Sequence, residues 1–355
     1  MAENSAYYRD QKRNTREKID NVRMQLPAYT YTFIDHLLLT YQINTTYVYI
    51  HDLFMFFTYL SETNPLCRGK EIKDISLELL NQLTPFDINE FQNYLAYGGS
   101  LSRQGEQSRA IARKMSSIRN FFGYMEDNGF LDNDPTLKAA KKSREEENEV
   151  FRLDSDEVKQ LLDAVTNVNV GSYHSKVLSE CTAKRDLALI TLLLGTGIRV
   201  SECAGIDLND VNFNTNTIRI VRKGGKATDM YIGESIRNTL RDYINNERPY
   251  LLDGADDPAL FISLKHNRLS VRSIRYMIEK YGNNLGLDRK LSPHKLRKTY
   301  GTALYNKTAD IYMVADVLGH KNVNTTIKHY VAMDEKRKQE AAQIDIYDLN
   351  TDENP

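Results

Sequence analysis

Residues 183–202 read AKRDLALITLLLGTGIRVSE, and this stretch decides how the second half of the chain folds. Its apolar run, Leu187 to Leu194, is much shorter than the ~20 apolar residues that a membrane span needs. The run therefore predicts a buried helix from Ala183 to Leu194. Arg199 and Glu202 follow it at a spacing of about one helical turn, where a carboxylate can orient a neighbouring guanidinium.

The rest of the chain is organised around a charged segment near its middle. A length of 355 residues favours two domains, each with a core of its own. Residues 137–149, LKAAKKSREEENE, are charged and poor in apolar side chains, which suits an exposed linker. The predicted divisions are an N-terminal extension (1–28), a helical domain (29–136), a linker (137–152), a second domain (153–338) and an acidic tail (339–355).

Three amphipathic helices are predicted in the first domain. Apolar side chains recur at three- and four-residue spacing from Thr46 to Leu60. Thr84-Pro85 places a hydroxyl cap before a proline at the first helical position, and a third helix runs from Gln107 to about Asn128. The apolar stripes of these helices are Tyr49, Leu53, Phe56, Phe57 and Leu60, then Ile88, Phe91 and Leu95, then Ile111, Met115, Ile118, Phe122 and Met125.

The charge distribution leaves room for a nucleic-acid partner. The net charge of −1 by itself argues against one, but residues 1–338 carry 47 basic and 43 acidic side chains. The third predicted helix presents basic side chains beside its apolar stripe: Arg109, Arg113, Lys114 and Arg119. These residues either meet DNA phosphates or form an ordinary solvated helix face.

The second domain is predicted to be mainly helical with a small antiparallel β-sheet. Asp154-Ser155 caps a helix that runs to about Val165. Two strand signals, Ile218 to Val221 and Met230 to Ile232, flank a turn rich in glycine and cations, which predicts a β-hairpin. Beyond Ser235 the pattern is mainly helical.

Several function classes are excluded by what the sequence lacks. There is no GxxxxGK phosphate loop, and the seven histidines show no zinc-ligand spacing. Three widely spaced cysteines, Cys67, Cys181 and Cys203, predict neither a disulfide framework nor a CxxC metal site. The polar N-terminus lacks the apolar core of a secretory signal, which favours the cytoplasm. We therefore expect no metal, no cofactor and no membrane association.

Cations, histidines and a late tyrosine follow in a recognisable order through the second half. They are Arg199 in GTGIRVSE, Lys223 in VRKGGK, His294 and Arg297 in HKLR, His320 in LGH, and Tyr330. This ordered set resembles the catalytic domain of the tyrosine recombinase and phage integrase family, over about residues 151–338. The upstream helices, from about residue 29 to 135, are similar to that family's core DNA-binding domain. The VRKGGK text and the chain length resemble the single-recombinase Xer (XerS-like) branch.

The resemblance implies a fold and a reaction. The fold is a helical, SAM-like core-binding domain followed by a mixed α/β tyrosine recombinase catalytic domain. The reaction cleaves and rejoins DNA through a 3′-phosphotyrosyl intermediate, without metal or ATP. Two guanidiniums, Arg199 and Arg297, suit this chemistry because each can donate paired hydrogen bonds to one phosphate as its charge increases.

The other residues suit further steps of the same reaction. Tyr330 is the candidate nucleophile, and its phenol, with a reference pKa of ~10, needs a proton acceptor and nearby cations. Lys223 fits the general acid for the leaving oxygen, His294 a proton-transfer partner of the tyrosine, and His320 a hydrogen-bond donor to the phosphate. Glu202 is expected to support these groups. Each motif alone has a simpler structural explanation, and only their joint order favours the family.

One spacing departs from the family pattern. The nucleophile of most members follows the LGH histidine by nine residues, whereas Tyr330 follows His320 by ten and His329 occupies the usual place. One residue turns an α-helix by about 100°, so a loop or bulge is expected between Asn324 and His329. Lys298 also stands where Xer relatives commonly place a histidine.

Partners and biological role follow from the resemblance alone. An Xer role implies four protomers on two DNA recombination sites, exchange through a Holliday junction, chromosome-dimer resolution during cell division and a regulating FtsK-type DNA translocase. The segment Asp334 to Tyr347 is then expected to dock on a neighbouring protomer. The alternatives are an integrase of a phage or conjugative element, a catalytically inactive DNA-binding relative, and a type IB topoisomerase. The target DNA sequence is not readable from any motif.

Overall fold

The computed structural model of the protein describes residues 6–98, 108–140, 152–166, 180–222, 224–287, 289–320 and 322–330, with the backbone alone at residues 325, 328, 329 and 330. The chain divides into two compact units, Ser5–Asn148 and Glu149–Pro355 with Met1–Asn4. Each unit has a large hydrophobic core of its own. The fold is mainly helical with a small antiparallel sheet, which confirms the predicted fold class.

The first unit is a helical assembly around an aromatic core. Its helices are α1 (Ala6–Arg23), α2 (Tyr31–Thr40), α3 (Ile43–Thr63), α4 (Leu77–Asn81), α5 (Pro85–Tyr97) and α6 (Ser108–Asp127). The three predicted apolar stripes lie on α3, α5 and α6 and point into this core. Fully buried phenylalanines fill its centre: Phe33, Phe56, Phe57, Phe91, Phe121 and Phe122.

Helix α5 begins where the sequence predicts. The backbone N–H and the hydroxyl of Thr84 both donate to Oδ2 of Asp87, at 2.8 and 2.7 Å. Pro85 occupies the first helical position, where no N–H is required. Residues of the first turn therefore cap the start of α5 by themselves.

Helix α1 occupies most of the region that was predicted as an N-terminal extension. It packs against α3, and Ile19 is fully buried between them. Arg23 donates to both carboxylate oxygens of Asp35 on α2, at 2.6 and 3.2 Å. Helix α1 is therefore part of the first unit's fold. Its apolar positions are too few to give a stripe that the sequence would reveal.

The start of the predicted linker is held on the first unit. Ala139 is 5% exposed. The N–H of Ala140 donates to Oδ1 of Asn89 at 2.8 Å, and its carbonyl accepts from Nε2 of Gln92 at 3.0 Å. Both partners lie on α5, so the packed part of the first unit extends to Ala140. The rest of the predicted linker, up to residue 151, lies outside the described residues.

The second unit combines helices with one hairpin-based sheet in its described part. Its elements are α7 (Ser155–Thr166), α8 (Ala183–Thr196), α9 (Val200–Ala204), β1 (Val211–Asn212), β2 (Thr217–Val221), β3 (Ala227–Tyr231), α10 (Glu234–Asn246), α11 (Arg248–Leu252), α12 (Val271–Asn284), α13 (Pro293–Thr308), α14 (Ile311–Leu318) and α15 (Val323–Tyr330). The strand order is β1-β2-β3, and both pairings are antiparallel. Val221 pairs with Ala227 next to the predicted hairpin turn.

Helix α8 is the apolar helix that the opening sequence predicts. Leu189, Ile190 and Leu192 are fully buried. The helix ends at Gly197, whose φ of +62° is a left-handed cap conformation. In the described part of the chain, we find no helix with the length and apolar character that crossing a membrane requires.

A buried carboxylate fixes the start of α8. Glu247 accepts the backbone N–H groups of Lys184 and Arg185, each at 2.9 Å, and so satisfies two donors that a helix start leaves without partners. Burial raises the pKa of Glu247 above its ordinary value. Asp186, in the first turn, accepts from Arg185 and from the hydroxyl of Tyr281 at 3.1 Å. This polar frame sets the position of α8 and of the residues that follow it.

Candidate active site

At the end of the opening stretch, the partly exposed Arg199 pairs with the buried Glu202. Arg199 immediately precedes α9, and its backbone N–H donates to Oε2 of Glu202 at 2.9 Å. Its Nη1 donates to Oε1 of the same carboxylate, also at 2.9 Å. The side chain of Glu202 is only 3% exposed, and a carboxylate so buried is stable only when it is paired. The pair is therefore not an ordinary surface helix pair, and Glu202 orients the guanidinium of Arg199.

Arg297 lies on α13 and is held by two backbone carbonyls. Its Nη1 donates to the carbonyl of Gly197 at 2.6 Å, and its Nη2 to the carbonyl of Leu318 at 2.5 Å. The residue is 5% exposed. These contacts join α13 to the end of α8 and to the end of α14, and they fix the guanidinium in one orientation.

The C-terminus of α14 brings three guanidiniums together. Arg222, at the end of β2, donates from Nη2 to the carbonyl of residue 317 at 2.9 Å. Arg297 donates to the next carbonyl, that of Leu318, and Nη2 of Arg199 donates to the carbonyl of Gly319 at 3.4 Å. The last carbonyls of a helix lack partners within the helix and carry its partial negative charge. They are therefore suited to gather cations that would otherwise repel one another.

His320 follows this helix end and is fixed by a second element. Gly319 adopts a left-handed conformation with φ +63°, which ends α14 and turns the chain into His320. Nδ1 of His320 hydrogen-bonds with Oγ1 of Thr326 on α15 at 2.7 Å. Thr326 is fully buried, so this contact holds the imidazole against α15.

The backbone around Tyr330 contradicts the predicted bulge. Residues Val323–Tyr330 form a continuous α-helix, so no loop or bulge lies between Asn324 and His329. Four helical residues turn a side-chain direction by about 400°, so position 330 lies within about 40° of Thr326 around the helix axis. Position 330 thus lies on roughly the same side of α15 as Thr326, the residue that contacts His320. The side chain of Tyr330 lies outside the described residues.

Of the two remaining candidates, the structure describes His294 but not Lys223. His294 is exposed in the first turn of α13, one turn before Arg297. Lys223 lies outside the described residues. The backbone on either side of it forms the predicted turn, because the N–H of Arg222 donates to the carbonyl of Lys226 at 2.8 Å.

Comparison with known proteins identifies the family. The family model described as Phage integrase family matches residues 151–353, which is more than half of the chain. The chain belongs to the phage integrase family. Among curated relatives, the tyrosine recombinase XerS of Streptococcus mutans serotype c is 29% identical over 346 residues, covering 90% of this chain and 96% of that protein. These relatives confirm the predicted resemblance to tyrosine recombinases of the Xer type.

Solved structures of phage integrase family members share the fold. The XerH site-specific recombinase bound to a palindromic difH substrate, in a post-cleavage complex, matches with a TM-score of 0.60 at 22% identity, over 85% of this chain and 79% of that one. A lambda integrase tetramer bound to a Holliday junction matches with a TM-score of 0.60 at 15% identity, over 84% of this chain and 76% of that one.

Sequence reasoning missed two residues of this candidate site. Arg222 contacts the end of α14 and lies 3.5 Å from Glu202, measured from Nη1 to Oε2. Thr326 contacts His320 as described above. Arg222 stands next to Lys223 in the quoted VRKGGK text, but nothing in a sequence indicates which way its side chain leaves the hairpin. The contact of Thr326 depends in the same way on how α14 and α15 pack.

The basic face predicted on α6 is wrong in part. Lys114 is 9% exposed, so it does not lie on the exposed face. Nη1 and Nη2 of Arg113 donate to the two carboxylate oxygens of Asp52, at 2.5 and 2.9 Å, and Asp52 is 2% exposed. Arg109 is exposed and Arg119 is partly buried. The prediction that α6 binds DNA therefore now depends mainly on Arg109, on the outer part of Arg113 and on the part of Arg119 that is not buried.

Among the described residues, no three His, Cys, Asp or Glu side chains are grouped so that they could hold a metal ion. The charged groups of the site are guanidiniums and a carboxylate that pairs with them. Such a site can bind a phosphate diester and stabilise the charge that develops on it.

Proposed function

We propose that this chain is a site-specific tyrosine recombinase that cleaves and rejoins DNA strands. The observation that supports this most strongly is the convergence of Arg199 and Arg297 on consecutive carbonyls at the end of α14, immediately before His320. Two rigidly held guanidiniums can donate hydrogen bonds to the two non-bridging oxygens of one phosphate. Because both are already oriented, little reorganisation is needed as negative charge builds up in the transition state.

The proposed cleavage step uses the remaining candidates. Oη of Tyr330 attacks the scissile phosphorus, so a Tyr–O–P bond forms while the P–O5′ bond breaks. The phenolic proton passes to His294, and Lys223 gives a proton to the leaving 5′ oxygen. His320 donates a hydrogen bond to the phosphate. The product is a 3′-phosphotyrosyl ester and a free 5′ hydroxyl, and attack by a 5′ hydroxyl on that ester rejoins the strand without ATP, metal or cofactor.

We further propose an Xer role, the resolution of chromosome dimers in the cytoplasm during cell division and chromosome partition. The XerS relative supports it because the similarity extends over nearly the whole of both chains. The proposed assembly is a homotetramer on two double-stranded DNA sites, and its proposed regulator is an FtsK-type translocase. The first unit would act as the core-binding domain and the second as the catalytic domain. The proposed docking segment, Asp334 to Tyr347, lies outside the described residues.

Covalent trapping tests the reaction and its nucleophile together. A DNA site is first selected from a pool of random duplexes by binding to the protein. It is then nicked near the scissile position, so that cleavage releases a short fragment that carries the free 5′ hydroxyl and dissociates. Wild type should form a covalent protein–DNA band that resists denaturation, and Tyr330→Phe should form none. Tyr312→Phe is the matched control, because Tyr312 is an exposed tyrosine (72%) on the neighbouring helix α14 and should not affect the band.

Each other outcome has a definite meaning. A band that persists in Tyr330→Phe would show that another residue attacks and that the C-terminal helix has been assigned the wrong role. If wild type gives no band on a site that it binds tightly, the inactive DNA-binding alternative replaces the proposed reaction.

A further inference from the structure

The backbone of Arg222 forms hydrogen bonds within the hairpin, and its side chain contacts the end of α14. Its N–H donates to Lys226 at 2.8 Å, and its carbonyl accepts the N–H of Gly225 at 3.0 Å, so it forms the base of the hairpin turn. Its guanidinium leaves the hairpin and reaches the carbonyls of Val317 and Leu318, at 2.9 and 3.4 Å. The residue thus connects a glycine-rich turn to a fixed point of the site.

The surroundings of this guanidinium leave it little freedom. The side chain of Arg222 is 14% exposed, and its Nη1 lies 3.5 Å from Oε2 of the buried Glu202. The α-carbon of Gly319 packs against it so closely that a β-carbon there would lie 3.2 Å from Cζ. Glu202 also holds Arg199, so one carboxylate places both arginines. A cation this desolvated keeps its position because leaving these acceptors would cost it several hydrogen bonds.

The turn that follows Arg222 contains two glycines, which have no side chain to hold them in place. Gly224 and Gly225 adopt positive φ values of 103° and 84°, and glycine moves between such conformations more easily than any other residue. Lys223 stands between this glycine pair and Arg222 in the chain. The anchored arginine is therefore the nearest rigid point from which the position of Lys223 can be set.

We propose that Arg222 is a positioning residue for the general acid: it anchors the base of the hairpin turn to Glu202 and to the end of α14, and so sets where Lys223 delivers its proton. The inference rests on the proposed function, because it presupposes that Lys223 protonates the leaving oxygen. Arg222 itself does not touch the DNA in this scheme. It acts through the residue that follows it.

A substrate that needs no general acid separates positioning from a merely structural role. The nicked site is prepared with the bridging 5′ oxygen of the scissile phosphate replaced by sulfur, because a thiolate leaves without being protonated. Arg222→Lys keeps the charge but cannot reach both carbonyls and Glu202, and Arg222→Gln is the second variant in case one fails to fold. Arg219→Ala is the matched control, since Arg219 is an exposed arginine on the same strand.

The expected result is a selective defect. Both Arg222 variants should cleave the ordinary phosphate roughly 10- to 100-fold more slowly than wild type. They should cleave the sulfur substrate within about threefold of the wild-type rate, as should Lys223→Ala. Arg219→Ala should match wild type on both substrates. Thermal unfolding and binding to the intact site, measured on each variant, exclude loss of the fold as the cause.

Other results overturn the inference or its premise. Equal slowing of both substrates in the Arg222 variants would overturn it, because the defect would then lie in the arginine pair rather than in protonation. Unchanged cleavage would overturn it as well. If Lys223→Ala is not rescued by sulfur, or wild type forms no covalent product, the proposed function fails and the inference fails with it. The Lys223→Ala and wild-type results do not involve any Arg222 variant. Failure of the proposed function can therefore be distinguished from failure of the inference about Arg222.

Discussion

At the scale of single residues, the site depends on carboxylate and carbonyl acceptors that hold cations which would otherwise repel one another. Glu202 is the clearest case, because its two oxygens accept from the backbone and the guanidinium of Arg199 while Arg222 lies 3.5 Å away. A neutral amide in its place would keep the shape but would present an N–H to one of its donors. The negative charge between the two guanidiniums would also be lost.

We therefore expect Glu202→Gln to slow DNA cleavage by roughly 10- to 100-fold, because a misplaced guanidinium no longer matches the phosphate. The rate of covalent trapping on the nicked site measures this effect. Glu234→Gln is the matched control, since Glu234 forms a similar pair with Arg237 but is 78% exposed. Equal rates for Glu202→Gln and wild type would mean that the carboxylate does not orient the site.

At the scale of elements, the candidate active site lies where the ends of several helices meet. The end of α8 supplies the carbonyl of Gly197, the end of α14 supplies three more, and α13 delivers Arg297 to both ends. Gly197 is needed here for two independent reasons. Its φ is +62°, and a β-carbon would lie 2.5 Å from Cδ1 of Tyr300 and 2.8 Å from Cδ2 of Leu318.

Gly197→Ala should therefore lower the free energy of unfolding by roughly 2–4 kcal/mol, from left-handed strain and overpacking together. It should also impair cleavage, because the carbonyl of the same residue holds Arg297. Gly254→Ala is the control for strain alone: its φ is +81°, but no atom lies within 4 Å of its β-carbon position. Chemical denaturation of the two variants measures the difference. A loss no greater than that of the control would show that the close packing is easily relieved.

At the scale of the whole molecule, the two units are built on separate cores. The first core is rich in phenylalanine, and the second is mainly aliphatic. The first residues of the charged segment 137–149 are held on the first unit, because Ala140 contacts Asn89 and Gln92. Separate cores indicate that each unit can fold by itself.

Residues 1–140 and 152–355, produced separately, should each show helical circular dichroism and a cooperative thermal transition of their own. A fragment that ends at Gly98 is the control, because it lacks α6 and with it the buried Ile111, Phe121 and Phe122. That fragment should not unfold cooperatively. If the two larger fragments were unfolded when separate, the predicted division of the chain into independent domains would be wrong.

The sequence by itself determined where several helices begin and which apolar side chains they bury, and it indicated the family. Thr84-Pro85 begins α5 and Asp154 begins α7, where it accepts the N–H groups of residues 156 and 157 at 2.9 and 2.8 Å. Caps and apolar periodicity act over a few neighbouring residues, so a linear reading contains all that is needed to predict them. The same holds for the ordered motifs, whose local texts indicated the family.

Only the tertiary structure decided how these groups meet. Arg297 donates to the carbonyl of Leu318 on another helix, and Glu202 and Arg222 stand twenty residues apart in the chain. The regular helix through position 330, the burial of Lys114 and the role of α1 likewise depend on how helices pack. Such contacts join residues distant in sequence and depend on directions that side chains take across a core. Local patterns carry no information about those directions, and the packed fold fixes them.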